Sequence, residues 1–138
     1  DLGSGGGLPG VVVAILAQAE DIKTHFTLVA SDQRKATFLR TCARQLDVPL
    51  TVTVERIENL VSLGADTLSA RALAPLDTLL TFAQQPLASD GGCIFQKGAQ
   101  WRAEIAQAEQ NWRFSYDAMQ SKTNPEAVVL KIKDIQRV

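Results

Sequence analysis

Five glycines, Gly3, Gly5, Gly6, Gly7 and Gly10, fall within the first ten residues, DLGSGGGLPG. Glycine at this density acts through its backbone: it allows a tight turn at positive φ, and it lets a ligand lie against bare peptide. An apolar run entered by Pro9 follows, so the oriented N–H groups of a helix N-terminus would complete such a cradle. Gly3, Gly5 and Gly7 make a G-x-G-x-G pattern, distinct from the G-x-G-x-x-G of many dinucleotide sites, and no Gly-Lys-Ser/Thr follows to make a P-loop. The D-x-G-x-G-x-G form points to S-adenosylmethionine (SAM) rather than NAD. A purely structural glycine turn is the competing account, weakened by the apolar helix and the strand that follow at the right separation.

Other chemistries find little support. His25 is the only histidine, so a histidine metal site is excluded and a Ser-His-Asp triad would depend on that residue alone. Cys42 and Cys93 lie far apart in apolar stretches, which is neither a disulfide framework nor a metal cluster and fits a reducing cytosol. No metal is expected. With 46% hydrophobic and 21% charged residues over 138 positions, the composition is that of one globular domain with a real core. No apolar run reaches the length of a bilayer span and no signal-peptide pattern is present, so a cytoplasmic protein without a membrane partner is expected. The formal net charge of −1 means that any nucleic acid would be met by a local patch.

The elements that must hold the glycine turn alternate. LPGVVVAILAQAE (8–20) reads as a helix whose nearly all-apolar body must be buried. HFTLVA (25–30) reads as a strand. In 31–47, Phe38, Leu39, Cys42 and Leu46 share a helical face opposite Arg34, Lys35, Arg40 and Arg44, with Ser31 or Asp32 as cap. LTVTVE (50–55) is β-branched and strand-like, RIENLVSL is a short helix or turn, and ADTLSAR (65–71) is a weaker strand. LDTLLTFAQQPL (76–87) reads as a helix, SDGG as a turn, CIFQK (93–97) as a strand and 100–112 as a helix. RFSYDAM and AVVLKIK close the chain as two strands joined by a polar turn, paired antiparallel because no helix separates them. Strands alternating with helices predict right-handed crossovers and a parallel sheet covered on both faces.

Over its whole length the chain resembles the RsmG (GidB) family of bacterial methyltransferases, which act on a guanine N7 of small-subunit (16S) rRNA. The resemblance is carried in order by DLGSGGGLPG, LVASDQRKATFLR, VERIENL, SARALAPL, GGCIFQKG and EAVVLKIK. It implies an α/β, Rossmann-like SAM-dependent methyltransferase fold. The sheet would have seven strands, mostly parallel with an antiparallel last strand, and a first strand truncated to Asp1 and Leu2. Residues 1–138 would form one methyltransferase domain lacking the family's N-terminal helical extension. Gly3 and Leu8 match the family's SAM contacts in the first turn, and Gly5 joins them through the glycine pattern. Ile57 and Glu58 match the pair beside the adenine, and Arg71 matches the arginine at the methionine end. Lys97 and Gly98 match a KG on the RNA side. Solvation or a salt bridge is the alternative for both Arg71 and Lys97.

No general base is expected, since guanine N7 carries an in-plane lone pair and positioning suffices. The basic face of 31–47 reads first as a solvated face, with RNA contact as the alternative, and Trp101, Trp112 and Phe114 are read as packing residues, with base stacking as the alternative. One departure from the family is Ala30, where an Asp or Glu normally accepts from the ribose hydroxyls. Asp32 lies roughly 6 Å further along an extended chain. Weak SAM binding, restored by Ala30→Glu, is therefore expected. Two competing functions stay open: a methyltransferase for another substrate, and a non-catalytic domain that has lost SAM binding.

Overall fold

A computed structural model describes residues 1–138 as two compact units, 1–60 and 61–138. In the first unit, α1 (Gly10–Ala19) follows the glycine turn, β1 (Thr27–Ala30) and β2 (Thr51–Val54) flank α2 (Gln33–Gln45), and a 3-10 turn covers Ile57–Asn59. β1 and β2 are parallel, Thr27 opposite Thr51 and Ala30 opposite Val54. Leu2 bridges Val29 in parallel and is itself buried. Asp1 and Leu2 thus occupy a strand position beside β1, with Val29 N–H donating to Asp1 O and Ser4 N–H to Val29 O. Val11, Leu28, Ala30, Ala36 and Leu39 form the core beneath the helices.

Here α1 departs from expectation. It buries only Gly10, Val11, Ala14 and Ala17, while Val12, Val13 and Leu16 are exposed. A helix lying on a sheet covers it with one stripe, and the smallest residues form that stripe. A Cβ on Gly10 would sit 3.0 Å from Leu28 Cγ, so glycine here sets how closely helix and strand approach. In α2 the cap is Asp32, and Ala36 and Leu39 are buried. Phe38 and Leu46, expected on the buried face, are exposed.

The second unit contains β3 (Ala65–Arg71), α3 (Leu76–Ala83), β4 (Leu87–Lys97), α4 (Trp101–Ala108), β5 (Trp112–Gln120) and β6 (Val128–Arg137). The strand order is β3-β4-β6-β5. β3 and β4 are parallel, with Arg71 opposite Gln96, and β6 is antiparallel to both β4 and β5. Leu68, Phe95, Leu130 and Ile132 are buried with Leu76, Leu79 and Leu80 of α3 and Trp101 and Ile105 of α4. Asp77 Oδ1 accepts from Trp112 Nε1 at 3.0 Å and from Asn111 Nδ2 at 3.0 Å, joining the first turn of α3 to the start of β5. A register shift between Arg113 and Ser115 interrupts the β5–β6 ladder. Its neighbourhood carries Asp134 at φ 55°, whose carboxylate accepts from Ser115 Oγ at 2.8 Å.

Two boundaries differ from the sequence expectation. The helix expected over 76–87 stops at Ala83, ahead of buried Pro86. The SDGG stretch (89–92) lies inside β4 and is not a turn. Its glycines serve close approach: a Cβ on Gly91 would meet Ala65 O at 2.8 Å, and one on Gly92 would meet Ile132 O at 2.9 Å. No helix is long and apolar enough to cross a membrane.

Candidate functional site

In the first unit the parallel pairing brings the start of the glycine turn, Ser31 and the 55–58 segment to one end of the strands. Gly3 follows Leu2, Ser31 follows β1, and Glu55 to Glu58 follow β2, with Glu55 N–H donating to Ala30 O at 3.1 Å. Carboxyl ends of parallel strands are where open α/β sheets bind ligands. Gly3 and Gly5 have φ of 62° and 45°, left-handed values that glycine takes without strain. A Cβ on Gly6 would meet nothing within 4 Å, so this turn offers bare backbone to open space. Gly7 N–H donates to Ser4 O at 2.7 Å, and Gly7 O accepts from Val11 N–H at 2.9 Å, carrying the turn directly into α1. Ser4 Oγ lies within donating distance of Asp1 O (2.9 Å) and Asp1 Oδ2 (2.8 Å) and pins the turn's start. Such a loop fits a small, partly polar ligand that needs close backbone contact.

Leu8 is exposed, Ile57 half-buried and Glu58 exposed, which leaves an apolar and an acidic side chain accessible at this end. Ala30, by contrast, is buried in the apolar cluster. Asp32 has other work: its Oδ1 accepts from Arg34 N–H at 2.6 Å and Lys35 N–H at 3.4 Å as the cap of α2.

In the second unit Arg71 ends β3 and is exposed, and the next residue, Ala72, has φ 49°. A left-handed alanine costs about 1–2 kcal/mol. Sequence patterns carry no signal for it, because alanine fits any element. Lys97, at the end of β4, is buried. Its Nζ donates to Ala74 O at 2.8 Å and pairs with Glu104 Oε1 at 3.1 Å. The salt bridge that stood as an alternative for this residue is present. The ammonium ties the end of β4 to the first turn of α4 and to the segment after Arg71. Gly98 is exposed beside it. Glu104 was not singled out from the sequence; its place in the first turn of the helix after Lys97 is the only signal that could have found it.

Arg34, Lys35, Arg40 and Arg44 are all exposed on α2, with Arg40 Nη2 donating to Val52 O at 3.2 Å. Trp101 and Trp112 are buried and Phe114 half-buried, as packing residues are. Burial pushes the Cys93 thiol up to about 12, which removes it as a nucleophile. No group of three or more His, Cys, Asp or Glu side chains is placed to hold a metal ion.

A family model described as GidB, rRNA small subunit methyltransferase G, matches residues 1–129. A protein of Ruegeria sp. named ribosomal RNA small subunit methyltransferase G is 51% identical over 138 residues, all of this chain and 67% of the relative. Its namesake from Ruegeria pomeroyi is 52% identical over 138 residues, all of this chain and 68% of the relative. The chain therefore spans about two thirds of the length of these relatives. Among solved structures, a ribosomal protein L11 methylase from Lactobacillus delbrueckii subsp. bulgaricus superposes with a TM-score of 0.72. It is 20% identical, and the match covers 96% of this chain and 67% of that one. This likeness shows an α/β methyltransferase fold.

Proposed function

The chain belongs to the rRNA small subunit methyltransferase G family, and from that premise we propose that it methylates N7 of a guanine in 16S rRNA, using SAM. The observation that carries the reading is the glycine turn. Left-handed Gly3 and Gly5 and the open backbone at Gly6 follow the Asp1–Leu2 segment at the strand end after which Ile57 and Glu58 also come, which supports a cofactor cradle.

When bound, SAM supplies a methyl group on a positively charged sulfur. Gly3 and Gly5 let the backbone approach the cofactor, and the half-buried Ile57 with Leu8 offers apolar contact. Glu58 is an acceptor for N–H or O–H groups, and Arg71 is a fork that suits a carboxylate. Guanine N7 would take the methyl through its in-plane lone pair as the methyl–sulfur bond breaks and S-adenosylhomocysteine leaves; N7 carries no proton, so no residue needs to take one and the protein's part is alignment. Because N7 lies in the deep, narrow major groove of A-form RNA, the acceptor is an unpaired or displaced base. The partner is 16S rRNA or the small subunit that contains it, and the place of action is the cytoplasm.

Ala30 is the one observation that favours a non-catalytic domain, since it leaves the usual ribose acceptor missing. Incubating the protein with methyl-labelled SAM and either naked 16S rRNA or small subunits separates the readings. Label at a guanine N7 is the expected result. Label at another atom or molecule would move the reading to a different acceptor, and SAM binding absent by calorimetry would favour the non-catalytic domain.

A further inference from the structure

A cleft of about 490 Å³ opens between the first turn of α4 and the β5–β6 hairpin, with Trp101, Arg102, Ala118, Gln120, Glu126 and Val128 among its walls. It lies at the carboxyl end of β4, where Lys97 pairs with Val128 and Val128 with Gln120. The small side chain of Ala118 leaves the space open. The guanidinium carbon of Arg102 sits 4.4 Å from the centroid of the Trp101 ring. A guanidinium layered on a buried indole has one planar face taken and held, and the other free to stack.

The hairpin wall is equally well built. Ser121 N–H donates to Ala127 O, and Ser121 Oγ accepts from the N–H groups of Thr123 and Asn124. Asn124 Oδ1 accepts from Glu126 N–H at 3.0 Å, and Gln120 Nε2 donates to Pro125 O at 3.0 Å. Apart from the contact of Arg102 with the ring, neither its guanidinium nor the Glu126 carboxylate has a partner in the protein. A phosphate would suit Arg102 but would be repelled by Glu126. A neutral, planar base with N–H donors on its edge satisfies both. Guanine alone among the RNA bases places two adjacent donors, N1–H and N2–H, against the two oxygens of one carboxylate.

We propose that this cleft is a subsite for an unpaired guanine of the RNA substrate, stacked on Arg102 and read by Glu126, and distinct from the guanine that is methylated. The inference rests on the RNA-methylating reading above. Its hairpin wall is set apart from the strand that ends in Arg71. Arg71, assigned to the methionine end of the cofactor, closes β3, whereas β6 stands two strands away, roughly 10 Å. None of the residues that line the cleft is a position that the resemblance assigns to the cofactor.

The test uses fluorescent uridine hexanucleotides carrying one central guanine, inosine or adenine, with binding read by anisotropy. Inosine lacks only the N2 amine. The wild-type protein is expected to prefer guanine over inosine by about tenfold, the worth of one hydrogen bond to a charged group. Glu126→Gln should erase that preference. Arg102→Ala should weaken the guanine oligomer by about tenfold, as loss of a stacking partner does, while leaving SAM affinity unchanged. Arg102→Lys, which keeps the charge but not the plane, should resemble the alanine variant. Equal binding of the three oligomers by wild type, or no change in the variants, overturns the proposal. So does a loss in Arg102→Ala that is the same for every base, since that denotes a phosphate contact. Transfer to rRNA without a guanine preference sinks the subsite alone. A guanine preference without transfer sinks the methylation reading and leaves the subsite standing.

Discussion

Replacing Lys97 by methionine tests whether the residue serves the fold or the RNA. The ammonium is held at 2.8 Å from Ala74 O and 3.1 Å from Glu104 Oε1, with the Lys97 side chain 7% and the Glu104 side chain 22% exposed. Removing one partner of a fully buried pair costs about 3–5 kcal/mol, because the other charge is stranded. Glu104 keeps some access to water, which lowers the penalty, while Ala74 O loses a charge-assisted donor. The expected loss is therefore about 2–4 kcal/mol, a drop in melting temperature of roughly 8–16 °C for a chain of this size. Thermal unfolding followed by circular dichroism measures it. Lys97→Met combined with Glu104→Met should recover part of the loss, since no charge is then stranded, while the unpaired Ala74 O still costs about 1–3 kcal/mol. RNA affinity measured against salt supplies the second readout: a lysine on a phosphate of single-stranded RNA steepens the fall of log K with log salt by about 0.7, and Lys97→Met should leave that slope unchanged. A melting temperature within about 2 °C of wild type, together with a shallower salt slope, would refute the assignment and return Lys97 to the RNA surface.

Three further outcomes follow from the same geometry. Ala30→Glu should tighten SAM binding by about tenfold through charge-assisted hydrogen bonds to the ribose. It should also lower stability without ligand by about 1–3 kcal/mol, because the stem enters an apolar cluster; calorimetry showing no gain in affinity would remove the proposed ribose role. Cys93, with its thiol pushed up to about 12, should have roughly one thiolate in ten thousand molecules at pH 8 and resist alkylation in the native protein. Thiol titration before and after denaturation checks this, with Cys93 reacting only afterwards. Asp77→Leu strands the buried Trp112 Nε1–H that Asp77 now accepts, and should cost about 1–3 kcal/mol in urea unfolding. In a Trp112→Phe background the same change should cost much less.

How much of this was legible in the sequence varies by the kind of signal each residue carries. The β-branched TVTV of β2 and the glycine turn announce themselves, because few conformations other than the observed ones suit them. SDGG misleads because serine, aspartate and glycine favour turns locally. Its glycines are instead required by carbonyls of Ala65 and Ile132 that come from distant parts of the chain. The exposure of Val12, Val13 and Leu16 is likewise invisible in composition, since a helix rich in valine and leucine does not say which face the sheet will take. For the site, the resemblance named the positions Gly3, Leu8, Ile57, Glu58 and Arg71, and the strand ends they occupy suit a ligand crevice. The partner of Lys97, the left-handed Ala72 and the cleft at Arg102 depend on tertiary placement, and no local pattern encodes them.

The register shift between Arg113 and Ser115 bears on what this chain does at high concentration. β5 is the last strand of its sheet, nine residues long, and its outer row of backbone groups could template pairing with another molecule. Two β6 residues, Asp134 and Ile135, stand against the single Phe114 of β5, so the extra residue sits on the inner strand and sharpens the local twist there. Arg113 adds to the barrier by folding its guanidinium back onto Glu109 O and Trp112 O, leaving a cation at the start of the strand. The added twist turns the outer strand away from the flat edge that fibril-like stacking needs.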